Sequence, residues 1–340
     1  MNFSNTGGQA KSGDQHHSAP VSKSIEANTE LKSNTVAEFL KCHTPYDLLP
    51  ISFKVILLDN RLPVKKALGA LIHNGINYAP LWDSELQQYG GLLTSNDFIS
   101  LVEYYYGKAN NQEAIDDLDQ LQICQVQELE KSMGIYPPGP TKHAYVRPFD
   151  TLYEASQRIL AANSHTIPVL DTDPSTNQPS VVTVLTQYRI LKFVAVNFKA
   201  KSSLNKTLKE IGIGTYGPLA TARLDAPVIE LVHKFMARRV AAVPIVDEEG
   251  TVLNVFENND VLALLREGDF SALDRPISET IRTRSESFEG VHRCQTSDTL
   301  RSILDTIKKE MVSRIVVVDA QDRLEGILTL SDILSYFLNE

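Results

Sequence analysis

The chain has 340 residues, 42% of them hydrophobic and 22% charged, which is the balance of an ordinary globular protein with enough length for more than one buried core. Its 33 basic and 42 acidic side chains leave a formal charge of −9, which argues against non-specific binding to a nucleic-acid backbone, since that needs a basic footprint. The three cysteines, Cys42, Cys124 and Cys294, form no C-x-x-C pair and speak against a disulfide framework or a zinc site.

Residues 1–33 are rich in Ser, Asn, Gln, Lys and Gly and almost devoid of large apolar side chains. Such a segment cannot offset the entropy of ordering and is expected to be a disordered tail, with His16-His17 solvated in it. It has no apolar stretch of the kind a secretory signal needs. No segment approaches the roughly 18 uncharged apolar residues of a membrane span. The nearest, residues 181–198, is broken by Gln187, Arg189 and Lys192. A soluble intracellular protein without metal or redox cofactor is expected.

Beyond the tail one pattern returns four times. Helical spacing of apolar residues runs into a short apolar strand ending in aspartate over Ala67–Asp83, Ala155–Asp171, Val228–Asp247 and Leu300–Asp319. A turn follows each time, then a second apolar strand: Gly91–Thr94, Val181–Leu185, Val252–Phe256 and Gly326–Thr329. A polar residue then opens a second helix. These residues are Asp97, Arg189, Asp260 and Asp332, and they lie 14, 18, 13 and 13 residues beyond the strand-end aspartate. First-helix starts are marked by Pro63, Asp150-Thr151, Pro227 and the run Thr296-Ser297-Asp298. Equivalent positions recur after 88, 76 and 72 residues, too long for a solenoid and suited to a β-α-β-β-α module. So small a module cannot close its own core, and pairing copies 1 with 2 and 3 with 4 is the natural remedy. The expected divisions are 34–107, 108–199 with its preceding linker, 200–272 and 273–340.

Five motifs stand in order along the chain: Ala79-Pro-Leu-Trp-Asp-Ser84, Leu185-Thr-Gln-Tyr-Arg-Ile-Leu-Lys-Phe193, Ile213-Gly-Thr-Tyr216, Phe288-Glu-Gly-Val291 and Leu328-Thr-Leu-Ser-Asp-Ile-Leu334. The four copies resemble cystathionine-β-synthase (CBS) repeats. From about residue 35 the chain resembles the gamma regulatory subunits of AMP-activated protein kinase, in the form of the fungal sucrose-nonfermenting kinase complex. The resemblance implies an α/β fold of four CBS repeats in two tandem pairs, or Bateman modules, forming a disc. It further implies AMP, ADP and ATP as competing ligands. The implied partners are a catalytic alpha kinase subunit and a scaffolding beta subunit in a heterotrimer, and the implied location is the cytoplasm and nucleus.

An aspartate at a helix start is by itself a cap, yet the same carboxylate can accept the hydroxyls of a ribose. The resemblance assigns the ribose role to Asp97, Asp260 and Asp332. Arginine cannot cap a helix start, so repeat 2 is expected to lack a ribose site and Arg189 to reach phosphate instead. Thr94, Thr215, Thr329 and Ser331 lie beside the expected clefts, with Ala220 close by. Lone hydroxyls are ordinarily turn residues, but Thr215 sits in a motif that the resembled family uses to line a nucleotide site. Arg189, Arg239, Arg284, Arg314 and His165 are the candidates for phosphate, because several charge-assisted donors on one centre hold it far better than one.

Asn77 and Tyr188 stand where the mammalian pattern has basic residues, Ser313 where it has histidine, and Ala241 where it has a hydroxyl. Fewer nucleotides are therefore expected than in the mammalian relatives, chiefly between repeats 3 and 4 through Asp260, Asp332, Thr215 and Arg284. The run Gly212–Gly217 spells G-x-G-x-x-G, but a helix-like stretch, Leu204–Glu210, precedes it and an apparent strand, Leu219–Ala222, follows. That order is the reverse of a dinucleotide fingerprint, and the glycines suit a helix end and a turn. No nucleophile elbow, P-loop or metal-spaced cluster is present, so the output is expected to pass through a partner. Other readings are a mainly structural subunit with vestigial sites, a stand-alone sensor, and an NAD-binding enzyme built on the glycine run.

Overall fold

The aspartate that ends the first long strand of a repeat closes the hairpin behind it. In the computed structural model, which describes residues 34–49, 54–108, 120–132, 134, 144–162, 165–176, 178–200, 203–265, 270–284 and 290–340, Asp83 Oδ1 accepts the backbone N–H groups of Glu85 and Leu86 at 2.9 and 3.0 Å. Asp247 Oδ1 accepts those of Glu249 and Thr251 at 3.1 and 2.7 Å, and Asp319 Oδ1 those of Gln321 and Arg323 at 2.8 and 2.9 Å. The longer loop of repeat 2 hands this task to Asp173, whose Oδ1 takes the Ser175 N–H and hydroxyl. That accounts for its wider spacing. Bonds to the ionised form hold three of these carboxyls below the usual range, chiefly from the Leu86 N–H for Asp83, the Ser175 hydroxyl for Asp173 and the Arg323 N–H for Asp319.

A short helix α1 (Val36–Lys41) precedes the repeats. Repeat 1 comprises β1 (Leu58–Asp59), α2 (Val64–Asn74), β2 (Tyr78–Asp83), β3 (Gln88–Thr94) and α3 (Ser95–Tyr106), and a linker helix α4 (Ile123–Ser132) follows. Repeat 2 has α5 (Leu152–Ala161), β4 (Thr166–Thr172), β5 (Pro179–Thr186) and α6 (Gln187–Asn197), followed by α7 (Leu208–Ile211). Repeat 3 has α8 (Val228–Arg238), β6 (Ala242–Val246), β7 (Val252–Glu257) and α9 (Asn258–Leu265), followed by α10 (Ile277–Arg282). Repeat 4 has β8 (Arg293–Cys294), α11 (Leu300–Lys309), β9 (Arg314–Val318), β10 (Leu324–Thr329) and α12 (Leu330–Asn339).

The hairpins β2–β3, β4–β5, β6–β7 and β9–β10 are antiparallel, while β1 and β8 add in parallel to β2 and β9. In repeats 2 and 3 single parallel bridges, Val146 to Val169 and Ala222 to Ile245, take the place of that first strand. The strand expected over Leu219–Ala222 is thus reduced to its last residue. First helices start at the marked positions, with Pro63 and Pro227 as N-caps and a reciprocal Thr151–Glu154 box in repeat 2; in repeat 4 the cap is Thr299.

Consecutive repeats meet through their sheets. Strand β3 packs on β5, and Ala242, Val252 and Val255 of repeat 3 bury against Val316 and Val318 of repeat 4. The larger cores cross between the pairs. Helices α8 and α9 of repeat 3 pack on α3 of repeat 1, where Phe98, Ile99 and Val102 bury with Leu231, Phe235 and Val261. Helices α11 and α12 of repeat 4 pack on α6 of repeat 2, joining Ile190 and Val194 to Leu304, Ile333 and Phe337. The repeats thereby close a ring in the order 1–2–4–3, and core closure needs both tandem pairs.

Among the described residues no helix is long and apolar enough to cross a membrane, and no group of His, Cys, Asp or Glu is placed to hold a metal. The expected tail, with His16-His17, lies outside the described residues. Gly212 ends α7 in the left-handed region at φ 65°, so the G-x-G-x-x-G run begins at a helix end.

Candidate functional site

The second helices α3, α6, α9 and α12 touch near their starts in two pairs. The Asn258 side-chain amide donates to Asn96 Oδ1 at 2.5 Å, joining repeats 3 and 1. The Gln187 amide donates to Ser331 Oγ at 2.9 Å, joining repeats 2 and 4. A helix N-terminus carries a partial positive charge, which three of these four starts meet with a first-turn aspartate.

Each of the three candidate ribose acceptors stands three residues after its N-cap. Asp97 Oδ2 accepts the Thr94 N–H at 2.6 Å and its hydroxyl at 3.0 Å. Asp332 Oδ2 accepts the Thr329 N–H and hydroxyl, both at 2.8 Å, and Asp260 Oδ2 accepts the Glu257 N–H at 2.7 Å. Capping of this kind stabilises a helix by about 1 kcal/mol. It uses one oxygen only, so the cap role and the ribose role are compatible, and the surroundings of the second oxygen decide between the repeats. Asp97 is 1% exposed and closed in by the core. Asp260 Oδ1 accepts Arg284 Nε at 2.6 Å. Asp332 is half-buried, and among the described residues no donor reaches its Oδ1.

Beside Asp332 the loop of the third motif adds to the sheet edge. The Thr215 N–H donates to the Ile327 carbonyl at 2.8 Å and the Ile327 N–H returns to Thr215 at 3.0 Å. The next residue, Tyr216, lies against Gly326 of β10, where a Cβ would come within 2.6 Å of the ring. The residue is 41% exposed, its far edge lies beside Gly214, and burial, followed by Cys294, Glu325 and the nearby Asp332 carboxylate, raises the phenol pKa. Thr215, Thr329, Ser331 and Asp332 thus share one cleft with the Tyr216 ring. Ala220, placed among the candidates, is partly buried against the core shared by repeats 1 and 3.

The expected phosphate donors divide. Arg314 pairs in β-register with Thr329, and its Nη1 lies 2.5 Å from Glu257 Oε1 of repeat 3. His165 Nδ1 is 3.3 Å from Gln187 Oε1, near enough to Arg314 that the guanidinium lowers its pKa, after burial as the larger cause. These two face the middle of the ring beside Ser331. Arg239 is exposed at the end of α8, in a left-handed conformation at φ 53°.

Two of the arginines expected at phosphate are engaged within the chain. Arg189, expected to reach phosphate, donates to the carbonyls of Leu48 at 2.6 Å and Val184 at 2.8 Å and to Thr183 Oγ1 at 3.3 Å. Arg284, also expected on phosphate, clasps Asp260 and donates to Asn254 Oδ1 at 2.7 Å and the Val255 carbonyl at 2.6 Å. In both, carbonyls and side-chain oxygens within reach satisfy a guanidinium held in a largely enclosed place. Sequence reasoning also passed over Tyr216 and Gln187. The small residue at 326, on the strand that the aromatic's own loop joins, was the signal for the first; the second carried none.

Comparison with known proteins bears on the chain as a whole. The CBS domain family matches residues 212–267 and 289–339. A 5'-AMP-activated protein kinase subunit gamma of Kluyveromyces lactis is 41% identical over 93% of this chain and 95% of its own length. That of Saccharomyces cerevisiae is 39% identical over 92% of this chain and 96% of its own length. Among solved structures, a Methanocaldococcus jannaschii protein superposes with a TM-score of 0.67 at 15% identity, over 86% of this chain and 99% of that one, which speaks for the fold alone. With four CBS-type modules in a closed ring, and relatives of this identity matched nearly end to end, the chain belongs to the gamma-subunit family of AMP-activated protein kinases.

Proposed function

We propose that the chain lets AMP, ADP and ATP contend for the cleft of repeat 4, and that the occupant alters how the chain acts on a catalytic alpha kinase subunit held with it and a scaffolding beta subunit. As a gamma subunit the chain is a regulatory component rather than the catalyst. The observation that carries the nucleotide reading is Asp332, a carboxylate fixed by its helix cap through Oδ2, with Oδ1 uncommitted among the described residues, near the partly exposed Tyr216. Oδ1 would accept ribose hydroxyls, Tyr216 would stack a purine, and Thr215, Thr329 and Ser331 would supply the remaining polar partners. Arg314 and His165, close to each other and to Thr329 and Ser331, would meet the phosphates. A ligand can shift the kinase only by its differential affinity for the two states of the complex.

Calorimetric titration of the full chain with AMP, ADP and ATP, with NAD as control, tests this reading. Asp332→Asn keeps an oxygen for the cap and removes the charge. Hydrogen bonds to charged groups contribute about 1.5–3 kcal/mol, so AMP affinity should fall at least about tenfold. Unchanged affinity would remove Asp332 from the site. A second reading, an assembly subunit with residual binding, is favoured by the guanidinium groups in repeats 2 and 3 and by Asn77, Tyr188 and Ser313. It predicts no detectable AMP binding alone or in the assembled complex.

A further inference from the structure

In repeats 1, 2 and 4 the residue before the second helix is a threonine that caps it: Thr94, Thr186 and Thr329. Repeat 3 has Glu257 there, the last residue of β7. The helix loses a capping hydroxyl, and the glutamate carboxylate is engaged across the repeat boundary. Its Oε1 lies 2.5 Å from Nη1 of Arg314, the first residue of β9 in repeat 4. Sheet packing brings them together, since Val252 and Val255 of β7 bury against Val316 and Val318 of β9. Both side chains are largely enclosed, Arg314 at 16% and Glu257 at 27% exposed. Nη1 is closed off from solvent and, among the described residues, makes no well-directed hydrogen bond. The guanidinium is therefore held to Glu257 by charge more than by geometry. On its own hairpin Arg314 stands opposite Thr329, the cap that fixes Asp332. Phosphates that reach Arg314 from a ribose at Asp332 thus meet a carboxylate supplied by the neighbouring repeat.

We propose that Glu257 is a charge filter at the phosphate end of the repeat-4 cleft, disfavouring nucleotides according to their phosphate charge and so raising the preference for AMP over ATP. The inference rests on the reading of repeat 4 as the nucleotide site, with Asp332 at the ribose. A guanidinium has several N–H donors in a planar fork, so Arg314 can keep Glu257 on Nη1 and offer its other nitrogens to one phosphate. Each further phosphate brings at least one more negative charge to the same corner, beside a carboxylate anchored at the end of β7. A single arginine does not offset them all, and like charges brought together at a binding surface lower affinity by about tenfold or more. Salt screens groups as enclosed as these much less than groups on the surface, so the filter works at physiological ionic strength.

The test is calorimetric titration of the full chain with AMP, ADP and ATP, without divalent metal so that each nucleotide carries its full charge. Glu257→Gln keeps the size and removes the charge. Glu257→Thr, which restores the residue of the other three repeats, serves should the first fail to fold. Either is expected to raise ATP affinity by about tenfold, ADP affinity by less and AMP affinity by less than about threefold, shifting ATP:AMP selectivity by at least about threefold. Glu257→Asp retains the charge and should keep the wild-type ratio within about twofold. A merely structural role would move all three nucleotides together. That result, or a shift in Glu257→Asp as large as in Glu257→Gln, would overturn the proposal. The Asp332→Asn titration keeps the two readings apart. If it weakens AMP binding while Glu257→Gln leaves the ATP:AMP ratio unchanged, the filter fails and the cleft stands. If it leaves AMP affinity unchanged, the cleft fails and the filter with it.

Discussion

Gly326→Ala is the sharpest probe of how the cleft is built. The added Cβ would sit 2.6 Å from Tyr216 Cδ1, 2.8 Å from Cε1 and 3.0 Å from the Thr215 carbonyl oxygen. Carbon atoms rest at about 3.5–4.0 Å, so the ring must lift by about 1 Å and pull on the bridge between Thr215 and Ile327. Overpacking of this kind costs about 1–3 kcal/mol. In a Tyr216→Ala background both ring contacts are gone, the Thr215 carbonyl at 3.0 Å remains, and the cost should fall below about 1 kcal/mol. Urea denaturation of the four full-length proteins, with the slope checked for constancy, gives the coupling directly. We expect about 1–2 kcal/mol, with the double variant more stable than the sum of the singles, and weaker AMP binding in Gly326→Ala. Additivity within about 0.5 kcal/mol would mean that the ring does not rest on residue 326, and the cleft as described would be wrong.

Two further outcomes concern the scaffold. Arg239 ends α8 at φ 53°, where repeat 1 places Gly75 at φ 62°, and a left-handed conformation costs a side-chain-bearing residue about 1–2 kcal/mol. Arg239→Gly should therefore raise stability by up to about 1 kcal/mol in a thermal melt, the gain being trimmed by glycine's greater unfolded freedom; a loss of stability would show that the arginine makes compensating contacts. The Cys294 thiol is 6% exposed and burial, with Asp298 adding, pushes its pKa up to about 12. Below pH of about 8.5 the proton is bound in both states, but above it the unfolded chain ionises first, so stability falls as pH rises from there towards about 12. Thiol reagents at pH 8 should label exposed Cys42 while sparing Cys294 until unfolding, and Cys294→Ala should flatten the alkaline loss; rapid native labelling of Cys294 would refute its burial.

Much of this architecture was legible in the sequence because its signals are local. The strand-end aspartates, the capping threonines and the third-position carboxylates act within a few residues of themselves, so their spacing carries their role. Cross-packing was not legible. The first helices of all four repeats present similar apolar stripes, and nothing in the stripe of α8 says that it belongs against α3 rather than the next repeat. The same holds for polar partners distant in the chain. Arg284 reads as a free cation until Asp260, 24 residues earlier, is seen within its grasp. Gln187 occupies a position where an amide has no evident local purpose, and only the ring brings Ser331 to it, 144 residues away.

The crossed cores also set a schedule for the ribosome. The apolar face of α3 is complete once Tyr106 has been added, but the helix that covers it begins only at Val228, about 120 residues later. At about 5–20 residues per second that interval lasts roughly 6–25 s. During it Phe98, Ile99 and Val102 have no native cover from repeat 3, and the first tandem pair emerges as an unfinished surface rather than a finished domain. A nascent chain of this design depends on whatever shields it in transit, and premature termination between the pairs yields not half a sensor but two half-cores.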